Sequence, residues 1–192
     1  MVVTCRKVDF MKPNNKKENI ILTTTELIKK NGIKNTSLAD IAKAVNISKG
    51  TLYYHYSSKD DLISDIANVH LEIITNSVLN CIQSMDSKNS KDQIINLIME
   101  KISDIEDRGR IHMYILCEAI TDNEYLREKI KLKYIEWRNT LKSEILKMGT
   151  KDAEALSFLL VSIVDGLVVQ GLLKTEKIPF ESIANFLVNH WL

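Results

Sequence analysis

The chain has 192 residues, of which 45% are hydrophobic and 27% charged, and this composition excludes a disordered or fibrous protein. With two prolines and six glycines it favours helices over a turn-rich sheet protein. The first ten residues carry charges and no apolar run, so no secretory signal is expected. The three cysteines are far apart and match no CxxC or zinc spacing. We therefore expect reduced thiols, a cytoplasmic protein, and neither a metal nor a cofactor.

The net charge of +1 conceals an uneven distribution along the chain. Residues 1–60 carry 11 Lys/Arg against 5 Asp/Glu, whereas residues 61–192 carry 15 against 20. A basic head on an acidic body suggests that the head meets a polyanion. Charge alone does not decide this, because chance clustering in a lysine-rich chain explains it equally well.

The chain is expected to begin with a flexible tail over residues 1–13. Apolar residues at helical spacing then predict a first helix from about Lys16 to Asn31. Gly32 is expected to end this helix in a left-handed conformation.

Three more helix starts follow from capping patterns. Ser37 and Asp40 fit the capping box of a second helix. Ser48 is a favourable N-cap for a third helix after the turn "VNIS". The motif Ser58–Asp61 fits another capping box and opens a long helix to about Ser84.

The remainder also has helical patterning, broken at Gly109 and Gly149. Helices are predicted over about 91–107, 110–120, 124–147, 152–173 and 179 to the end, the last with Pro179 at its first position. The sequence thus predicts an all-α fold of about nine helices. Its expected divisions are the tail 1–13, a helix-turn-helix DNA-binding domain 14–60, and a ligand-binding and dimerisation domain 61–192.

The third predicted helix has two different faces. Leu52 and Tyr56 share one face by i, i+4 spacing and should pack on the first two helices. The other face is cationic and aromatic and holds Lys49, Gly50, Tyr53 and Tyr54. Tyrosines at helical spacing usually belong to a core, but a helix this short cannot bury most of its circumference. The second face therefore has the features of a reader of the DNA major groove.

Each residue type on that face suits a contact with DNA. Lys49 can pair with a phosphate or a guanine edge, and Gly50 allows close approach of the backbone. Tyr53 and Tyr54 can bond phosphates and contact thymine methyl groups. The flanking residues Thr36, Ser37, Ser58, His55 and Lys59 are expected near phosphates, the first three through helix N-termini. For His55 an uninvolved surface position is an equal alternative.

The stretch "TSLADIAKAVNISKGTLYYHYSSKDDL" resembles the helix-turn-helix signature of the TetR family of bacterial transcriptional regulators. The resemblance covers about the first third of the chain, and Tyr56 stands where family members often have Phe. It adds Ser48 and Thr51 to the expected DNA contacts. It implies a nucleoid-associated homodimer on palindromic DNA, with a body that senses a small molecule and relieves repression.

The segment 155–173 is apolar except for one charge, Asp165. Its length would suit a membrane span, but the central Asp165, the interspersed polar residues and the absence of a basic flank argue against one. A soluble helix this apolar must be buried on several sides, so a partner chain is expected on one of them. The predicted dimer interface comprises Ser162, Gly166, Val169, Gly171, Phe186 and Leu187.

The expected effector is small and hydrophobic or cationic. Residues that could line its cavity are Met99, His112, Met113, Cys117, Trp137 and Phe158, and core packing is the alternative for each. Glu118 could face a cationic ligand or solvent.

Other functional classes fit the sequence less well. No HExxH, GxGxxG, P-loop or GxSxG motif is present, so an enzyme is not expected. A constitutive DNA-binding regulator without a ligand, or a helical adaptor protein, stays open. Residues 16–60 contain no arginine, so the commonest guanine reader is missing and an A·T-rich site is expected.

Overall fold

The structure is a computed structural model that describes residues 15–83 and 108–190. Within these ranges the regular structure is helical and contains no strand, which confirms the predicted all-α class. The chain divides into two compact units between Leu62 and Ile63. The expected tail 1–13, the expected helix 91–107 and its Met99 lie outside the described residues.

The first unit contains three helices and the start of a fourth, close to the predicted bounds. They are α1 (Lys16–Asn31), α2 (Leu38–Val45), α3 (Lys49–His55) and the beginning of α4 (Lys59–Gln83). The helix α1 packs on α2, and α2 packs on α3.

Helix α1 presents one buried stripe to this small core. Ile20, Thr24 and Ile28 lie four residues apart and are almost fully buried. The Thr24 hydroxyl donates to the Ile20 carbonyl at 2.6 Å, so this buried polar group is paired. Gly32 ends the helix with a φ of 81°, and its N–H donates to the Ile28 carbonyl. The expectation of a left-handed helical conformation is wrong in one respect, because the ψ of Gly32 is 162°.

The turn between α2 and α3 is closed by a left-handed residue. Asn46 has φ 59° and ψ 47°, a conformation that asparagine adopts more readily than most residues. The N–H of Ile47 donates to the Ala42 carbonyl at 3.0 Å. This turn directs the chain from α2 into the cap of α3.

In its described residues the second unit contains the rest of α4 and four further helices. They are α5 (Arg110–Thr121), α6 (Glu124–Lys147), α7 (Ala153–Leu173) and α8 (Phe180–His190). Gly149 has a φ of 80° just after α6, as its predicted role requires. Gly109 has right-handed helical dihedral angles, so it is not a helix-breaking residue as expected. Pro179 stands directly before α8, and its carbonyl accepts the N–H of Ile183.

An apolar cluster holds α6, α7 and α8 together. Its buried members are Leu141, Ile145, Ala153, Leu156, Leu160, Leu167, Val168 and Leu187. Leu187 is 2% exposed within its own chain, so its predicted place in a dimer interface is wrong. By length and composition α7 could also cross a membrane, although the residues just named pack it against α6 and α8.

Trp137 is fixed in the second unit by a buried hydrogen bond. Its indole Nε1 donates to the Thr75 hydroxyl at 2.9 Å, and that hydroxyl donates to the Leu71 carbonyl at 2.8 Å. Both Trp137 and Thr75 are buried, so loss of the hydroxyl would leave an indole N–H without water or acceptor.

We expect Thr75→Val to lower the free energy of unfolding by about 1–3 kcal/mol because it strands the Trp137 N–H. Urea denaturation followed by circular dichroism measures this. In a Trp137→Phe background, which lacks the donor, the same substitution should cost less. Equal costs in both backgrounds would show that the hydrogen bond contributes nothing.

Candidate nucleic-acid interface and effector site

Helix α3 is held by its cap and by one buried face. The Ser48 hydroxyl accepts the Thr51 N–H at 3.0 Å and lies 2.9 Å from the Thr51 hydroxyl. Leu52 and Tyr56 are 1% and 3% exposed, as their i, i+4 spacing predicts. The ammonium of Lys17 lies 5.4 Å from the centre of the Tyr56 ring. The helix is therefore docked along one side only.

The opposite side of α3 is open to solvent. Tyr53 is 53% exposed and Tyr54 87%, and Lys49 and Gly50 are exposed beside them. The Tyr54 ring meets the His55 ring edge-on at 5.3 Å between centroids. Two large aromatic side chains thus lie in solvent next to a cation. This is unusual for a helix of seven residues, and none of residues 15–83 and 108–190 covers that side.

The glycine at the start of this face is not demanded by the fold. A Cβ built on Gly50 would meet only the Ser48 hydroxyl, at an ordinary contact distance of 3.7 Å. The smooth backbone at Gly50 consequently faces outward.

Thr36 does not belong to the exposed face. It is fully buried, its hydroxyl donates to the Gly32 carbonyl at 2.8 Å, and its N–H donates to the Ile33 carbonyl. Its expected contact with a phosphate is wrong, because both of its donors are used inside the α1–α2 turn.

The N-termini of α2 and α4 are occupied by their own carboxylates. Asp40 accepts the N–H and the hydroxyl of Ser37, and Asp61 accepts the N–H of Ser58 and the hydroxyl of Ser57. These hydrogen bonds hold the pKa of each carboxyl below its ordinary value. Both capping boxes are confirmed, but the amides of Ser37 and Ser58 are not free for a phosphate as expected.

His55 and Lys59 lie at the far end of the exposed face and are half-buried. The Lys59 ammonium donates to the Ile33 carbonyl at 2.5 Å, which ties α4 to the loop after α1. Two further N–H groups of that ammonium can still serve an anion, so its phosphate contact stays a prediction.

In the second unit four polar side chains from four helices meet in a partly buried cluster, here called the Asp165 cluster. It consists of His70, His112, Tyr134 and Asp165. The Tyr134 hydroxyl lies 3.1 and 3.0 Å from the two Asp165 oxygens and donates to them. His112 Nε2 is 3.4 Å from Asp165, and its Nδ1 is 3.2 Å from His70 Nε2.

Tyr134 is the central member of the Asp165 cluster. Burial and the neighbouring Asp165 charge raise its pKa, so the hydroxyl keeps its proton and remains a donor. Its ring centroid lies 5.1 Å from that of Trp137. Tyr134 therefore contacts the carboxylate through its hydroxyl and the Trp137 indole through its ring.

The predicted cavity residues separate into two groups. His112 and Trp137 are buried and contact Tyr134 of the cluster. Cys117 is exposed, and Phe158 is 46% exposed with the guanidinium of Arg138 over its ring at 4.0 Å. For Cys117 and Phe158 the prediction of an interior lining is wrong, because their side chains face solvent within this chain.

The two other described cavity candidates are half-buried: Met113 packs against the apolar cluster, and Glu118 lies on α5. Sequence reasoning missed His70, Tyr134 and Asp165 as site residues. One signal was available: Asp165 is the single charge in an apolar stretch, and a charge inside a soluble core requires partners.

Most predicted dimer residues lie on the surface of this chain. Ser162, Gly166 and Val169 are exposed on one side of α7, and Gly171 is half-buried. Phe186 is 51% exposed and stacks on the His190 ring. Other exposed apolar residues of α7 are Phe158, Leu159 and Leu173.

Comparison with known proteins places the helix-turn-helix unit among regulators. Residues 20–66 match the model of a family described as bacterial regulatory proteins, tetR family. The biofilm operon icaADBC negative transcriptional regulator IcaR of Staphylococcus epidermidis is 31% identical over 139 residues, which is 68% of each chain. The IcaR of Staphylococcus aureus strain Newman is 34% identical over 99 residues, and the match spans about half of its length (52%).

Solved structures share the fold at low sequence identity. A transcriptional regulator from Saccharomonospora viridis in complex with choline aligns with a TM-score of 0.77 at 20% identity, covering 91% of this chain and 96% of that one. AibR, in complex with isovaleryl coenzyme A and operator DNA, aligns with a TM-score of 0.69 at 20% identity over 91% and 97% of the two chains.

The lowered pKa of Asp40 makes the stability of the first unit dependent on pH. The unfolded carboxyl takes up a proton more readily than the capped one, so the stabilisation is present above the ordinary pKa of 3.8 and is lost as the pH falls below it. The stability difference between wild type and Asp40→Asn should shrink as the pH falls from about 5 to about 2.

Urea denaturation across that pH range measures the difference. Ser37→Ala removes the hydroxyl that donates to Asp40 and should weaken the same pH dependence. A difference that stays constant with pH would mean that the cap does not bind the ionised form preferentially.

Proposed function

Because the chain belongs to the TetR family of bacterial transcriptional regulators, we propose that it is a homodimeric repressor released from a palindromic operator by a small-molecule effector. The family consists of DNA-binding regulators and not of enzymes. The observation that carries the proposal is the open side of α3, with Tyr53, Tyr54, Lys49 and Gly50 exposed together. A cytoplasmic location follows from this role.

The open side of α3 suits the major groove. A two-turn helix docked by Leu52 and Tyr56 leaves its other side free to enter a groove about 12 Å wide. Lys49 supplies charge for a phosphate or a guanine edge, and the tyrosine hydroxyls supply donors. Ser48 and Thr51 at the start of the helix are the remaining candidate contacts.

The absence of arginine from residues 16–60 shapes the expected operator. Arginine gives the commonest bidentate contact with guanine, and tyrosine rings pack well against thymine methyl groups. We therefore propose half-sites rich in A·T pairs.

Dimerisation would account for the exposed apolar residues of α7 and α8. Val169 and Phe186 stand in water in the single chain, and Gly166 offers a place of close approach. A two-fold axis through such a face brings the same patch from both copies together. Two α3 helices about 34–36 Å apart would then meet successive major grooves of a palindromic site.

The relatives and the position of α4 support repression and release by an effector. The IcaR relatives are negative regulators by name. AibR, which shares the fold, has been crystallised with both isovaleryl coenzyme A and operator DNA. Helix α4 carries His70 of the Asp165 cluster and starts, at Lys59, next to α3. An effector that favours a non-binding arrangement by about 1–3 kcal/mol is enough for a useful switch.

We expect Tyr53→Ala to weaken binding to the operator by about 1–3 kcal/mol, because it removes a side chain that faces the groove. The measurement is a fluorescence anisotropy titration against the intergenic DNA beside the gene, at fixed near-physiological salt, with unrelated DNA for comparison. The matched control is Tyr125→Ala, since Tyr125 is a tyrosine on α6 that is 66% exposed, against 53% for Tyr53.

Tight wild-type binding to one palindrome that survives Tyr125→Ala and fails in Tyr53→Ala would support the proposal. Weak, sequence-blind binding that salt abolishes would contradict a specific regulator and favour a helical adaptor.

Val169→Glu should convert the dimer to a monomer because it places a charge on the exposed apolar side of α7. Light scattering on a sizing column reads the mass directly. Leu132→Glu is the control, because Leu132 is a 65% exposed leucine on α6 that lies beside Asn68 and Leu71 of α4. If Val169→Glu still has the mass of a dimer, Val169 does not lie in the dimer interface.

A further inference from the structure

We propose that Asp165 is the anchor for a cationic effector, an organic ammonium ion that pairs with its carboxylate beside Tyr134. The inference rests on the proposed function, in which a small molecule binds in the second unit. It specifies the charge of that molecule and the side chain that recognises it.

Asp165 is the single charged residue in the 19 residues from Ala155 to Leu173, in the middle of an apolar helix. A carboxylate there is costly unless something compensates it. Its side chain is 31% exposed, so it is partly enclosed by the protein and can still be reached from solvent.

Among the residues that the structure describes, the partners of Asp165 leave its charge largely uncompensated. An ionised carboxylate can accept about four hydrogen bonds. Tyr134 brings one neutral hydroxyl, shared between both oxygens. His112 Nε2 lies 3.4 Å from the carboxylate and equally far from the Tyr134 hydroxyl. A charge-assisted N–H bond is about 2.7–2.9 Å long, so His112 does not form a tight ion pair.

Tyr134 links the carboxylate to a pair of aromatic rings. The Tyr134 hydroxyl touches the carboxylate, and the Tyr134 ring lies 5.1 Å from that of Trp137. The Trp137 indole is itself fixed by Thr75. A carboxylate bonded to one aromatic side chain, which in turn contacts a second ring, offers an ammonium group with an apolar body both an ion pair and a cation–π contact.

The site is also connected to the proposed switch. The Asp165 cluster joins side chains from α4, α5, α6 and α7, and His70 is its member on α4. A cation that takes over Asp165 changes the acceptor available to His112, and the His112–His70 contact with it. Binding and the arrangement of α4 would therefore be coupled through hydrogen bonds.

A series of ligands that differ only in charge tests the proposal. The probes are benzylammonium, benzyl alcohol and benzoate, together with the same three groups on a naphthylmethyl body. Isothermal titration calorimetry at constant ionic strength gives each affinity for the full-length protein. We expect each ammonium compound to bind at least about tenfold more tightly than its alcohol, and the carboxylates to bind weakest.

Two variants with the same chemical change locate the site. Asp165→Asn keeps the shape and the Tyr134 contact but removes the charge, so the preference for the ammonium compounds should fall about tenfold or more. Glu154→Gln makes the same change at an exposed carboxylate that begins the same helix, and it should leave the preference intact. Circular dichroism and the mass in solution show that each variant is folded and assembled.

The outcomes separate this inference from the proposed function. No ammonium preference in the wild type, or an equal preference in Asp165→Asn, overturns the cation site. Ammonium binding that depends on Asp165 but leaves the DNA titration unchanged supports the site and refutes release by that effector. Specific DNA binding without any ammonium binding overturns the site and leaves the regulator role in place.

Discussion

The burial of Leu52 and Tyr56 is the contact on which the first unit depends. A helix of seven residues is not stable by itself, so α3 exists only because one side is packed and one end is capped. Ser48 caps the N-terminus of α3, and the left-handed conformation of Asn46 sets the direction in which the chain enters it. The residues that fix the neighbouring loops, Thr36 and Lys59, bond to backbone carbonyls after α1. With one side used for docking, the other side is left for a partner outside the chain.

In the second unit a core helix carries a partly buried charge. Helix α7 packs through leucine and valine side chains against α6 and α8, and the same helix carries Asp165. The carboxylate draws Tyr134 from α6 and His112 from α5 into one polar cluster. An apolar and a polar interior thus share one helix, which fixes its rotation more strictly than leucines alone would.

Helix ends were predictable because caps are local. Ser37 and Ser58 each meet a carboxylate three residues ahead, and the sequence contains both partners in one short window. The Asp165 cluster joins residues 53 and 42 positions apart, so no local pattern reveals it. Rotation about a helix axis was the other obstacle. Phe186 is exposed and Leu187 is buried, and hydrophobicity gives the two neighbours the same rank.

The fold does not require a glycine at position 50, so the reason for this glycine lies at the surface of α3. Glycine inside a helix costs about 1 kcal/mol relative to alanine, and the room for an alanine methyl exists here. The first unit is therefore less stable than its own packing would permit. The substitution Gly50→Ala would keep the fold and add one methyl group to the exposed surface of α3. If a binding partner approaches α3 closely at Gly50, the added methyl group weakens its binding. If it does not, binding is unchanged.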